Sequence, residues 1–227
     1  MMFFVNCTGL DDKEIHYSTA RDVAIMSREL ISHSMIFDYS TIWMDSIRDG
    51  QFGLANTNKL IRFYNGANGL KTGSTSKARY CLSATALRDG MQLIAVVLGS
   101  PTSAERFTAA KSLLDYGFAN YSVYRPKAST SYSLKVWGGK NGNVECKSDN
   151  KAVILNKGEQ NKVKEQISLP DALNAPVKKG DVVGKISYTL GDKLIFESDI
   201  VALSSVGKAD FKDIFVKLIL QVCYKNK

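Results

Sequence analysis

Lys71-Thr72-Gly73 puts a cation, a hydroxyl donor and a residue without a side chain in one row. Such a row can hold an anionic group close to the main chain. Charge-assisted hydrogen bonds contribute about 1.5–3 kcal/mol each, and glycine leaves room for close approach. Composition alone produces Lys-Thr-Gly in about one chain in twenty of this length, so in isolation the tripeptide reads as a polar strand entry. Ser74-Thr75-Ser76-Lys77 follows directly and matches S-x-x-K, the spacing of a serine nucleophile with a lysine partner. The other reactive side chains are scattered. Cys7, Cys81, Cys146 and Cys223 contain no C-x-x-C pair, and His16 and His33 complete no zinc spacing with them, which argues against a zinc enzyme. Cys81 reads as a small core residue and His33 as a surface residue at a helix end. His16 has no evident nucleophile near it in sequence.

These residues must be positioned by the first 120 or so. Ser18 or Thr19 can cap a helix, with Asp22 in a relaxed capping-box spacing after Thr19. Ala20, Val23, Ala24, Leu30 and Ile31 then share one face. A second helical stretch is expected at Met35–Thr41. The Gly- and Asn-rich passage Asp49–Gly69 reads as loop with a short strand at Leu60–Tyr64. Arg79–Leu98 alternates as a hairpin turning at Asp89-Gly90. Pro101 and Thr102-x-x-Glu105 open a helix that carries Phe107, Ala110, Leu113 and Leu114 inward and stops at Gly117. Two strands with a packed helix make an α+β layer.

The pattern changes near Tyr121–Pro126. Short β-branched runs at Ser133–Trp137, Ala152–Leu155, Val163–Leu169, Val182–Leu190 and Leu194–Leu203 alternate with glycine turns, which predicts a small β-sandwich over 121–207. In the tail, 208–227, Phe211, Ile214, Phe215, Leu218, Ile219 and Val222 make a helical apolar stripe. Lys208, Lys212, Lys217, Lys225 and Lys227 there outnumber Asp210 and Asp213.

The segments Asn56-Thr57-Asn58-Lys59-Leu60-Ile61 and Gly66-Ala67-Asn68-Gly69-Leu70 precede Lys71-Thr72-Gly73-Ser74-Thr75. Upstream stand Phe4-Val5-Asn6-Cys7-Thr8-Gly9-Leu10-Asp11-Asp12 and His16-Tyr17-Ser18-Thr19-Ala20-Arg21-Asp22. In order and spacing these resemble the D-alanyl-D-alanine carboxypeptidases, low-molecular-mass penicillin-binding proteins of the serine β-lactamase-like fold. The resemblance runs from Phe4 through the strand-rich segment and the tail. It implies that a peptidoglycan stem peptide ending in D-Ala-D-Ala lies along a sheet-edge strand. Lys71 would keep the potential positive, Thr72 would donate to the terminal carboxylate, and Gly73 would clear its approach. The resemblance further implies that the Ser74 backbone N–H is one of two oxyanion donors and that Arg106 is a second cation. Gly9-Leu10-Asp11-Asp12 and His16-Tyr17 would form a structured loop near the site. Cys7 stands where relatives often have proline.

The same resemblance implies a catalytic S-x-x-K and a second motif, S-x-N, ahead of the Phe4-Val5-Asn6 segment, yet only five residues precede Asn6. Ser27-Arg28-Glu29-Leu30 lacks the lysine, and Ser74-x-x-Lys77 lies in the wrong place and reads as coincidence. The sequence is thus expected to be the C-terminal portion of such an enzyme, from a misplaced start, a broken gene or a fragment. Loss of a nucleophile removes on the order of 10⁶ of the rate, so this portion alone is expected to be inactive. The first unit, 1–120, is expected to be marginally stable.

The intact enzyme would attack the penultimate D-Ala carbonyl, release D-Ala and hydrolyse the acyl-enzyme, with β-lactams trapping it. No cofactor or metal is implied. The rival expectation is a non-catalytic wall- or membrane-associated binding module derived from such an enzyme.

Composition sets the surroundings. The 227 residues are 44% hydrophobic and 23% charged, a globular balance, and carry a net charge of +8. That charge suits phospholipid, wall polymer or nucleic acid. No basic helix or aromatic RNA-binding motif supports nucleic acid. No apolar run approaches the roughly 20 residues that span a bilayer. The N-terminus lacks the pattern of a signal peptide, which taken literally means cytoplasm. The resemblance instead implies a parent protein in the cell envelope, with the tail lying on the outer face of the cytoplasmic membrane.

Overall fold

The computed structural model describes residues 2–9, 16–126, 131–148 and 151–224. Helices and strands are mixed, strands predominate, and the chain divides into two compact units, 1–123 and 124–227.

Helix α1 (Ala20–Leu30) starts where Thr19 Oγ1 accepts the Asp22 N–H at 3.1 Å. Its expected apolar face is only half covered, with Leu30 exposed, and the buried residue is Ser27. Ser27 and Ser83 hydroxyls meet at 2.7 Å, which satisfies both away from water. Helix α2 (Ile36–Ser40) follows. Strands β1 (Met44–Ile47) and β2 (Phe52–Ala55) then form an antiparallel hairpin, and β2 falls within the stretch expected as loop. Leu60–Tyr64 is not a strand: Leu60–Phe63 is a short helix, α3. Asn58 Oδ1 accepts the Leu60 N–H at 3.2 Å, and Leu60 is 1% exposed, so a local side-chain-to-backbone turn and a core anchor override the strand-like composition.

Strands β3 (Ala67–Thr75), β4 (Arg79–Arg88) and β5 (Met91–Ser100) form an antiparallel sheet in that order, with β3 at an edge. Asp89 and Gly90 both take positive φ, 49° and 73°, and turn β4 into β5 as their types predict. Helix α4 (Ser103–Asn120) begins at Thr102, whose hydroxyl accepts the Glu105 N–H at 3.2 Å. It runs past Gly117, which is packed against the Leu93 side chain instead of ending the helix. Phe107, Ala110 and Leu114 enter the core with Leu82, Ala84, Ala86 and Ala95. Leu113 points to solvent, contrary to the sequence expectation. Small residues on β4 let the helix sit close, and each buried Leu or Phe contributes about 1.5–3 kcal/mol.

Strand β6 (Tyr121–Tyr124) leads into the second unit. There lie β7 (Tyr132–Trp137), β8 (Asn143–Ser148), β9 (Val153–Asn156), β10 (Val163–Ser168), β11 (Ala172–Asn174), β12 (Val182–Leu190) and β13 (Lys193–Ala202). Six of them form one sheet in the order β10-β12-β13-β8-β7-β11. β8 and β11 are additions to the strands expected from sequence. β8 is interrupted by charge, but it alternates strictly, burying Val144, Cys146 and Ser148. Tyr188 and Phe196 stack across β12 and β13 with centroids 4.3 Å apart in this core.

The chain continues into helix α5 (Phe211–Tyr224), opened by reciprocal bonds: Asp213 N–H to Asp210 Oδ1 at 2.9 Å and Asp210 N–H to Asp213 Oδ2 at 3.0 Å. Phe211, Ile214, Phe215 and Ile219 are exposed. The side chains of Lys217, Leu218 and Val222, and residues Lys225 and Lys227, lie outside the described residues. Among the described residues no helix is long and apolar enough to cross a membrane.

Candidate functional site

Lys71, Thr72 and Gly73 lie mid-way along the edge strand β3, where they face Ser83, Leu82 and Cys81 of β4. They line a groove of about 480 Å³ together with Phe4, Cys7, Thr8 and Gly9. The N-terminal segment therefore reaches the tripeptide through residues 4–9. Leu10, Asp11 and Asp12, expected in the loop beside the site, lie outside the described residues. His16 holds the segment from behind: its Nδ1 accepts the Val5 N–H at 3.4 Å, and Tyr17 bridges to Phe3.

Each member of the tripeptide has a distinct setting. Lys71 is exposed, and its ammonium donates to the Thr72 carbonyl oxygen. Thr72 is 8% exposed, and its hydroxyl meets that of Thr57 at 2.6 Å. Thr57 was legible only as part of the Asn56–Ile61 segment, with no role assigned to it. Asn58 Nδ2 donates to the Gly69 carbonyl at 2.8 Å, so the same segment also fixes the start of β3. Gly73 is unlike the glycines the fold needs. A methyl group there would meet no atom within 4 Å, and its φ is not left-handed. Neither packing nor conformation requires glycine at this position.

Arg106, from the first turns of α4, is 6% exposed. Its Nη1 donates to the Gly73 carbonyl at 3.2 Å and to the Cys81 carbonyl at 3.3 Å. The guanidinium also lies over the rings of Tyr80, at 5.5 Å, and Phe107, at 4.8 Å. Burial pulls its pKa down, and among the described residues the buried Nε has no partner. Ser74 follows Gly73 and pairs with Tyr80 in the register. It lines a second groove, of about 690 Å³, with Thr75, Ser76, Arg79, Tyr80 and Pro101. Among the described lining residues of both grooves there is no carboxylate, whereas Lys71 and Arg79 are present.

The literal S-x-x-K of Ser74 and Lys77 spans the end of β3 and the turn after it. A serine–lysine pair three apart meets on one face of a helix, whereas Ser74 lies on a strand and Lys77 in the turn that follows it. The spacing also recurs at Ser148–Lys151 and Ser205–Lys208, so the pattern by itself selects nothing. Ser27 is engaged with Ser83. Cys81 is only partly buried and lines the groove, which corrects its reading as a core residue, while Cys146 is the buried thiol, its pKa pushed up by burial. Among the described residues no cluster of metal-ligating side chains occurs.

The family described as D-alanyl-D-alanine carboxypeptidase matches residues 2–102. Residues 2–102 of this chain belong to that family. Residues 118–208 match the C-terminal domain of penicillin-binding protein 5. The D-alanyl-D-alanine carboxypeptidase DacF of Bacillus subtilis is 37% identical over 92% of this chain and 55% of its own length. DacA of Haemophilus influenzae is 34% identical over 91% of this chain and 53% of its own length. The chain thus spans about half the length of these relatives. Among solved structures, penicillin-binding protein 5 of Haemophilus influenzae superposes with a TM-score of 0.69 at 30% identity, covering 85% of this chain and 58% of that one. A peptidoglycan synthesis regulatory factor of Streptococcus pneumoniae gives 0.60 at 26% identity, covering 86% and 59%.

Proposed function

We propose that this family member carries the substrate-gripping strand of a serine-type D-Ala-D-Ala carboxypeptidase, which trims the terminal D-Ala from peptidoglycan stem peptides through an acyl-enzyme. The observation that carries this reading is Gly73. The fold gives no reason for a bare position between a threonine hydroxyl and Ser74 in a groove whose described lining holds no acid, whereas an extended peptide adding to the edge of β3 does. In this reading Lys71 and Thr72 take the terminal carboxylate, and the Ser74 N–H faces the oxyanion. Arg106 adds positive potential from behind the strand while holding the Gly73 carbonyl. Thr72 would exchange its bond to Thr57 for one to the carboxylate, or use it to orient its hydroxyl.

The reacting serine is none of those in this sequence. Ser74 contributes its backbone, and Lys77 stands in the turn after β3, not one helical turn away from it. The chain alone is then inactive, and β-lactams bind covalently only to a protein that supplies that serine. The first unit would belong to a β-lactamase-like catalytic domain, and the second would be a β-sandwich. Helix α5, with exposed Phe211, Ile214, Phe215 and Ile219 and its lysines, would rest on an anionic membrane surface at the cell envelope. Incubation of the chain with labelled penicillin tests the assignment of the nucleophile: no covalent adduct should form, and an adduct on Ser74 would overturn it.

A further inference from the structure

We infer that Arg79 forms a cationic subsite for a carboxylate that the substrate carries just upstream of its terminal D-Ala-D-Ala pair; this rests on the reading of β3 proposed above. The direction of the bound peptide follows from that reading. With the terminal carboxylate at Lys71–Gly73 and the penultimate carbonyl at the Ser74 N–H, the remaining peptide runs on past Ser74 toward Thr75. An extended chain advances about 3.3 Å per residue, so the next one or two residues reach the end of the strand. The groove of about 690 Å³ opens at that place.

Arg79 is the partner of Thr75 across the β3–β4 ladder and lines this groove. It is exposed, and among the described residues its side chain forms no ion pair or hydrogen bond. Lys77, in the adjoining turn, is exposed too. The backbone at Arg79 sits at φ 55°, a left-handed conformation that glycine takes freely and an arginine does not. A long cationic side chain thus lines a groove whose described residues include no acid, at a backbone position where glycine would be easier. A guanidinium fork matches a carboxylate bidentately, so the ligand group it fits is a side-chain carboxylate on the residue before the D-Ala pair.

The test is a titration of the full chain, followed by amide NMR, with three synthetic tetrapeptides. The first ends in D-Ala-D-Ala with a free carboxylate on the preceding residue; the second has that carboxylate amidated; the third has the C-terminus amidated instead. The first should bind about fivefold more tightly than the second, the scale of an exposed ion pair. The difference should vanish in Arg79→Gly, which the left-handed backbone accommodates, and persist in Arg79→Lys. Equal affinity of the first two peptides for the unmodified chain, with the third still weaker, would overturn the subsite and leave the reading of β3 standing. Equal affinity of the first and third would strike that reading itself, and no binding by any peptide would remove both.

Discussion

Arg106 Nη1 donates to the main-chain carbonyl of Gly73 at 3.2 Å, so a helix that packs on one side of the sheet is tied directly to the bare position of its edge strand. The same nitrogen reaches Cys81 O at 3.3 Å, directly across the ladder from Gly73. A single buried cation therefore holds β3 and β4 in register where the substrate is proposed to lie.

Replacing Arg106 by methionine, which keeps the apolar stem, should leave two carbonyls less well satisfied and cost about 1–3 kcal/mol of stability. A urea titration followed by circular dichroism measures it. An unchanged midpoint would mean that the guanidinium does not support the strand.

Gly73→Ala should behave in the opposite way. Because the added methyl group meets nothing within 4 Å, stability should stay within about 0.5 kcal/mol of the original. Affinity for a D-Ala-D-Ala peptide should nevertheless fall severalfold. Undiminished affinity would show that the substrate does not approach this position.

The hydroxyls of Ser27 and Ser83, 2.7 Å apart and buried, join α1 to β4. Ser27→Ala or Ser83→Ala alone strands one polar group and should cost about 1–3 kcal/mol. The double variant should cost less than the two single changes together, and a thermal melt of the four proteins reads out the coupling.

Local signals in the sequence account for much of this architecture. Thr19, Thr102 and Asp89-Gly90 act within a turn of themselves, so α1, α4 and the β4–β5 turn could be read directly. Leu60–Phe63 was misread as strand because its helix depends on Asn58, itself pinned to Gly69 of β3, a contact no window of sequence contains. β8 escaped notice because Glu145 and Lys147 mask its alternation, and β11 because three residues carry no period. At the site, Lys71, Thr72 and Gly73 stood out through the family resemblance. The partners that set them, Thr57 and the carbonyl bonds of Arg106, emerge only from long-range packing.

Tyr124 and Tyr188 should make the second unit sensitive to alkali. Burial first, and then Glu165, push both pKa values up to about 12. An unfolded tyrosine ionises near a pKa of about 10. The folded state thus keeps protons that the unfolded state gives up. The stability from these groups is complete below pH 10 and is lost as pH rises toward about 12. Glu165→Gln removes the Tyr124 hydroxyl's carboxylate partner at 3.0 Å and should lower both pKa values. Ultraviolet titration of tyrosinate absorbance checks the shift, and unchanged titration would contradict it.

The central claim is that the edge of β3 grips a terminal carboxylate. Its most direct measurement compares the affinity of the chain for an N-acylated D-Ala-D-Ala peptide with a free C-terminus and for the same peptide amidated there. The free acid should bind about tenfold or more tightly, as one charge-assisted bond of the stated strength requires, and Thr72→Val should erase most of that preference. Equal binding of acid and amide, or a preference that survives Thr72→Val intact, would contradict the account.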